Sequence, residues 1–374
     1  MTQYIDINRN DASRRDWQHL LHLDALLLLG LICASIFGLF ILYSASGQSD
    51  AVLNRQLIRL GIAFATMAIA AQFQPQWLLR WTPWLYGIGI ILLILVLVFG
   101  DIGKGAQRWL NLGFIRFQPS EMMKLAVPMM VAWYFSDKRL PPRGSRLLIA
   151  GLLIAIPVML IARQPDLGTS LLIACAGFFV LFLAGLSWRL LIGLTAIAAA
   201  GAPVLWHFMH EYQRQRVLTF LHPEKDPLGT GYHIIQSKIA IGSGGSFGKG
   251  WLNGTQAHLE FLPESSTDFI FAVLGEEFGL AGILLLLAIY AFIIIRSMYI
   301  ATQAQDTYSR LLGGSLGLTF FIYIFVNTGM VTGLLPVVGL PLPLVSYGGT
   351  SMVTLMAGFG ILMSIQTHRK LLPT

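Results

Sequence analysis

Between His207 and Asp268 the sequence gathers Arg214, Arg216, Lys238, Glu260, Glu264 and Asp268 in a polar stretch that interrupts an otherwise apolar chain. Carboxylates beside guanidinium and ammonium groups suit one kind of reaction. A proton is drawn from a hydroxyl while the charge on a leaving group is neutralised. The stretch ends in Leu262-Pro263-Glu264-Ser265-Ser266-Thr267-Asp268-Phe269-Ile270-Phe271, which places Asp268 at the brink of a helix. Two roles are open to it: general base, or helix cap in competition with Thr267. The residue types point to a membrane enzyme acting on a lipid-linked substrate, with Asp268 at its centre.

Further polar clusters flank the apolar runs. Arg108-Trp109-Leu110-Asn111 precedes Arg116-Phe117-Gln118-Pro119-Ser120-Glu121, and Lys124 follows. Pro119 suits the first turn of a helix, with Gln118 or Ser120 as its cap. Glu121 and Lys124 then share a face at i,i+3. Ionisable groups inside a membrane are costly and face a cavity or each other. The pair is therefore either a structural ion pair or part of a cationic lining for a phosphate-bearing substrate. In Arg163-Gln164-Pro165-Asp166-Leu167-Gly168-Thr169, Asp166 is placed to cap the next helix, and Arg163 can reach the same side. Glu276 and Glu277 lie two turns into an apolar helix and call for a basic partner from another helix. The run Leu335 to Ser351 is apolar, uncharged and broken by Pro336, Pro341 and Pro343. Such backbone at membrane depth must be buried or line a cavity, where Ser346, Tyr347, Gly348 and Gly349 can present donors.

Several other chemistries are disfavoured. The stretch Gly242 to Gly250 fails the spacing of a phosphate-binding loop, because Ser243 and Gly250 occupy positions that need Gly and a hydroxyl residue. Its glycines suit tight turns and close backbone approach. His207 and His210 stand at i,i+3, but no matching carboxylate pair makes them a metal site. Cys33 and Cys175 lie in apolar runs and imply neither disulfide nor metal. The net charge of +7 is spread over short loops, with no basic stripe for nucleic acid.

The elements that must position these groups are membrane helices. The chain is 55% hydrophobic and 11% charged, against about 25% charged in soluble domains. A span needs about 20 apolar residues. Ten candidates emerge: Ala25–Tyr43, Leu57–Ala71, Leu78–Phe99, Met122–Phe135, Leu147–Ala162, Ser170–Leu186, Leu190–Phe208, Phe269–Ile295, Leu311–Val331 and Leu344–Ile365. The expected fold is all-α and polytopic, one membrane domain over residues 1–374 with a long outer loop at 209–268. No cleavable signal is apparent in the polar stretch Met1 to Asp24. With the N-terminus inside, thirteen Lys and Arg fall in inner segments. Six fall in outer ones besides the long loop: Arg55, Arg59, Lys104, Arg108, Arg116 and Arg163. The bias places both termini in the cytoplasm and the long loop outside. The six exceptions need another reason to be there.

Taken together, Arg108-Trp109-Leu110, Phe117-Gln118-Pro119-Ser120-Glu121, Gln164-Pro165-Asp166-Leu167-Gly168-Thr169, Leu262-Pro263-Glu264 with Thr267-Asp268-Phe269, and Val345-Ser346-Tyr347-Gly348-Gly349 resemble the SEDS membrane proteins. These are the shape, elongation, division and sporulation polymerases of the bacterial cell wall. The resemblance runs nearly the whole chain. Gly254-Thr255-Gln256 and Phe114-Ile115-Arg116-Phe117 resemble the elongation branch more than the division branch.

The resemblance implies a peptidoglycan glycosyltransferase of the bacterial inner membrane. It would polymerise lipid II into β-1,4 glycan and release undecaprenyl pyrophosphate. A class B penicillin-binding protein within the elongation complex would be its partner. Asp268 matches the family's base. Arg108, Arg116, Lys124, Arg214, Arg216, Lys238 and Ser346 are candidates for holding substrate or pyrophosphate, alone or through a divalent cation such as Mg2+ or Mn2+. Glu121, Asp166, Glu264 and Glu276 are candidates for shaping the cavity. Two rivals stand beside the enzyme. A lipid II flippase would use the same cations without making a bond, and ten helices with a broken segment suit transporters. An inactive scaffold would leave the cost of Glu121, Lys124, Glu276 and Glu277 unexplained.

Overall fold

The computed structural model describes residues 22–103, 106–111, 116–142, 144–208, 211–225, 230–259, 261–262 and 264–368. Each apolar segment predicted as a span coincides with a helix. These are α1 (Ala25–Ala45), α2 (Asp50–Gln72), α3 (Pro75–Phe99), α4 (Pro119–Phe135), α5 (Ser145–Ala162), α6 (Leu167–Leu183) and α7 (Trp188–Phe208), followed by α11 (Ile270–Thr302), α12 (Thr307–Val331) and α13 (Thr350–Thr367). Among the described residues seven are long and apolar enough to cross a membrane: α1, α2, α3, α5, α11, α12 and α13. Helices α4 and α6 have 17 residues each, and α7 has 21. The outer surfaces of α1, α2 and α3 are apolar, with Leu29, Ile36, Ile58, Ile62 and Ile91 exposed. A surface of this kind fits hydrocarbon rather than water.

Two segments depart from expectation. A three-stranded antiparallel sheet of β1 (Asp101–Gly103), β2 (Ala106–Asn111) and β3 (Arg116–Phe117) joins α3 to α4. The stretch read as a long loop holds three further helices, α8 (Glu211–Leu221), α9 (Thr230–Gly244) and α10 (Thr255–His258). The face of the bundle from which it emerges is termed the loop face below. Both differences arise where apolar periodicity is weak and tertiary packing decides.

The core lies where α11, α12 and α13 meet. The Phe320 ring packs edge-on against Tyr290 and Phe359, at centroid distances of 5.5 and 5.2 Å. Tyr290 donates its hydroxyl hydrogen to the Pro343 carbonyl at 2.6 Å, tying the Pro-rich segment to α11. Helix α13 lies along α2, and a Cβ at Gly360 would stand 2.4 Å from the Met67 carbonyl oxygen. Small residues at such crossings let backbones approach, the main source of helix association in lipid.

Helix α11 is broken at Gly279, whose φ of 62° and ψ of −158° are non-helical. The break frees backbone groups that lipid cannot satisfy. Residues 245–250 take them up. Lys249 and Gly250 N–H groups donate to the Glu276 and Glu277 carbonyls at 3.0 Å each. Leu280 and Ala281 N–H groups donate to Gly245 and Ser246 carbonyls, also at 3.0 Å. The glycines of this stretch make the close approach possible, as their sequence predicts. A Cβ on Gly248 would meet the Glu277 carbonyl oxygen at 2.1 Å.

Candidate functional site

Asp268 stands at the loop face, two residues before α11, and is half-buried. Its segment is pinned from two directions. Asn327, fully buried on α12, donates from Nδ2 to the Asp268 carbonyl at 2.9 Å and to the Leu340 carbonyl at 2.7 Å. The Ser346 hydroxyl donates to the Thr267 carbonyl at 2.5 Å and accepts from the Leu342 N–H at 2.8 Å. Tyr347 N–H donates to the Ser266 carbonyl at 2.8 Å. Turn 264–268 and loop 339–347 therefore form one rigid piece. Gly339 faces the carboxylate, since a Cβ there would lie 3.5 Å from Asp268 Oδ2.

The N-cap of α11 is Phe269, whose side chain makes no cap bond. The N-cap position that the sequence left open to Asp268 or Thr267 is thus held by their neighbour. Thr267 donates its hydroxyl to Glu264 Oε2 at 2.7 Å, and Glu264 holds a left-handed φ of 54°. Glu264 thereby shapes the turn before Asp268. Ser346 is 4% exposed with its hydroxyl engaged at both ends. It is a strut of the Asp268 turn rather than a donor facing open space. The last apolar segment becomes helical only at Thr350, because the Pro-rich run through Pro343 cannot continue a helix.

On one flank of Asp268 lies Asp166. It is the N-cap of α6, accepting from Thr169 N–H at 3.2 Å, and it accepts from Gln118 Nε2 at 3.2 Å. Arg108, on β2, approaches Asp166 Oδ2 with Nε at 3.7 Å and donates from a terminal nitrogen to the Pro165 carbonyl. Gly168, in the first turn of α6, packs on Val338 and Leu340 of the loop that carries Gly339. Arg108 and Asp166 are so brought beside Asp268 through one short segment. Gln118 is the N-cap residue of α4 but makes no side-chain cap bond, and Pro119 occupies the first turn as predicted.

Lys124 and Glu121 pair at 2.7 Å on α4, both buried. Lys124 Nζ also lies 5.5 Å from the Tyr323 ring centroid. Lys124 and Tyr323 line a small cavity between α4, α12 and α13, and Tyr323 also lines a second with Leu342 and Ser346. Glu276 is fully buried. Its Oε1 accepts from Lys249 Nζ at 2.7 Å and from Thr255 N–H at 2.8 Å. Its basic partner comes from the polar stretch and not from another helix. Glu277 accepts from the Ser44 hydroxyl of α1. Both acids fasten residues 249–256 and α1 to the broken helix.

The remaining cations are dispersed. Arg216 borders an apolar cavity of about 390 Å³ with Leu167, Leu171, Val217, Pro336 and Val338. Arg214 donates from Nε to the Trp206 carbonyl at 3.0 Å. Lys238 is exposed on α9, its stem lying over Gly333. Glu260 and the side chains of Arg116, His207 and His210 lie outside the described residues. Among the described residues no group of three or more His, Cys, Asp or Glu is placed to hold a metal ion. Sequence reasoning misses Asn327. A lone amide in an apolar helix was the available signal, since buried polar groups in a membrane mark functional contacts.

A bundle of long apolar helices with a clamped carboxylate on one face and a buried Glu121–Lys124 pair defines a polytopic membrane protein. The chain belongs to the FtsW, RodA and SpoVE family of cell cycle proteins, whose model matches residues 19–371. It is 55% identical over 364 residues to the peptidoglycan glycosyltransferase MrdB of Escherichia coli K12, covering 97% of this chain and 98% of that one. Identity is 38% to the probable peptidoglycan glycosyltransferase FtsW of Trichlorobacter lovleyi, covering 94% of each chain. Among solved structures, one from work on a peptidoglycan synthase complex that coordinates polymerization and crosslinking superposes with a TM-score of 0.82 at 32% identity, over 93% of this chain and 99% of that one. The crystal structure of the rod shape determining protein RodA of Thermus thermophilus gives 0.70 at 28% identity, over 93% and 98%.

Proposed function

We propose that this chain is a peptidoglycan glycosyltransferase that polymerises lipid II into β-1,4 glycan during cell elongation. Its site faces outward from the bacterial cytoplasmic membrane, with both termini inside. The observation that carries the reading is the clamp on Asp268. Asn327 of α12 and the loop residues Ser346 and Tyr347 fix the backbone of its turn, and a Cβ on Gly339 would stand 3.5 Å from its Oδ2. In the reaction the 4-hydroxyl of one sugar gives its proton to Asp268. The hydroxyl oxygen attacks the anomeric carbon of a second sugar. The bond from that carbon to pyrophosphate breaks, and the electron pair leaves with undecaprenyl pyrophosphate. Arg108 supplies positive charge for the leaving group, in the planar form suited to phosphate. The apolar cavity beside Arg216 suits an isoprenoid segment.

The buried charges favour an enzyme over a flippase. Glu121, Lys124 and Glu276 all lie within two turns of the loop-face ends of α4 and α11. The other strongly paired group, Asp24 with Arg296 at 2.6 Å, sits at the opposite end of α1. No ladder of ionisable residues joins the two faces among the described residues. A class B penicillin-binding protein is the proposed partner, cross-linking the glycan as it forms.

The test is glycan synthesis from purified lipid II, by the chain with its class B partner. Wild type should give long glycan. Asp268→Ala and Asp268→Asn should insert and fold, yet lose about 10²–10⁴-fold in rate. Near wild-type polymerisation by either variant would remove Asp268 as the base. Absence of glycan from wild type would move the assignment to the flippase.

A further inference from the structure

Two of the outward basic residues, Arg55 and Arg59, stand on the loop-face half of α2 and have no part in the site above. Arg55 is exposed and returns its Nε to the Ala51 carbonyl one turn back, at 3.1 Å. Arg59 turns inward. It is half-buried, and its guanidinium carbon lies 4.2 Å from the Tyr347 ring centroid. Its Nε is 3.7 Å from where a Cβ on Gly349 would stand. No ion pair among the described residues involves it.

Gln56, one turn earlier on the same face, is 1% exposed. Its Nε2 donates to the Ser346 carbonyl at 3.2 Å, while Oε1 is buried with no hydrogen-bond partner. A buried amide oxygen left in this state costs roughly 1–3 kcal/mol, and it requires a donor. Beside both residues α13 begins with Gly349 as N-cap and no side-chain cap. A Cβ on Gly348 would meet nothing within 4 Å. A guanidinium and open helix N–H groups attract phosphate. The amide oxygen adds a place for a hydroxyl or N–H. Together they match a glycosyl pyrophosphate, in which phosphate and sugar donors are adjacent.

The loop that carries these features is the one that clamps Asp268, through Tyr347 N–H to Ser266 and Ser346 to Thr267. Arg59 therefore lies on the α2 flank of the carboxylate, and Arg108 on the α6 flank. Polymerisation brings two pyrophosphate-bearing molecules to one carboxylate, and their mutual repulsion calls for two separate cations. Resting on the polymerase reading above, we infer that Arg59, Gln56 and the Tyr347–Gly349 backbone form a second glycosyl-pyrophosphate subsite. It holds one of the two lipid-linked reactants while Arg108 serves the other.

The experiment uses the full chain in detergent, with undecaprenyl pyrophosphate as probe. Bound equivalents are counted by native mass spectrometry, and KM for lipid II is measured with the class B partner. Wild type should bind two equivalents and Arg59→Gln one, with KM raised about tenfold, the effect of losing one charge-assisted contact. Arg59→Lys should recover part of the loss, since charge is kept but the planar fork is not. Gly348→Val is the second variant. It fills the open space without touching the Arg59–Tyr347 stack, and should also bind one equivalent at unchanged melting temperature. Two equivalents and wild-type KM in both Arg59→Gln and Gly348→Val would overturn the subsite. So would displacement of the second equivalent by phosphatidylglycerol, which would make Arg59 a contact for lipid headgroups. A wild type that makes no glycan at all would instead overturn the polymerase reading.

Discussion

Lys124 and Glu121 meet at 2.7 Å with both side chains buried. Breaking such a pair strands one charge and costs about 3–5 kcal/mol, whereas removing both partners is far milder. Glu121→Gln and Lys124→Met should each lower the melting temperature strongly, and the double variant should recover much of the loss. A double variant as unstable as the sum of its singles would argue against direct coupling. The i,i+3 spacing made this pair readable from sequence, as it did the Asp166 cap at the start of α6. Asp268 stood out by type and place, but the choice between base and cap rested on where α11 begins, and single-residue boundaries depend on packing. Ser346 looked like an exposed donor beside glycines. Only the fold shows its hydroxyl turned back onto Thr267 and Leu342. The contact between Asn327 and Asp268 spans 59 residues of sequence, and no local pattern encodes it.

Apolar length located the membrane helices well, because a span must satisfy its own backbone and shed charge. The same rule fails for α8, α9 and α10, which are short, polar and stabilised by neighbours. It also fails for the break in α11, where Gly279 looks like any glycine in an apolar run. Its meaning comes from residues 245–250 packed against it. Gly248 and Gly47 separate strain from collision. Both have left-handed φ, 79° and 64°, but a Cβ on Gly47 meets nothing within 4 Å. Gly47→Ala should cost about 1–2 kcal/mol, the strain of that conformation alone. Gly248→Ala adds a collision with the Glu277 carbonyl and should lower the melting temperature at least twice as far. Equal effects in thermal unfolding would show that the 245–250 segment does not hold the break.

For the whole molecule, the distribution of Lys and Arg places the loop face outside, and the proposed chemistry requires it there. Cysteine labelling tests the orientation once Cys33 and Cys175 are replaced by Ala. A membrane-impermeant maleimide applied to intact spheroplasts should modify Asp50→Cys, exposed at the start of α2 on the loop face. It should modify Gln303→Cys, just past α11, only after permeabilisation. The reverse pattern would invert the protein in its membrane and leave Asp268 on the wrong side for wall synthesis. The chain is synthesised from residue 245 towards residue 281. The hydrogen-bond partners of Glu276, Glu277, Leu280 and Ala281 therefore exist before the second half of α11 leaves the ribosome. A broken helix entering lipid by itself would hold open peptide groups in hydrocarbon until help arrived. Here the help is made first, so insertion of α11 and docking of the preceding segment can proceed as one event in the order of translation.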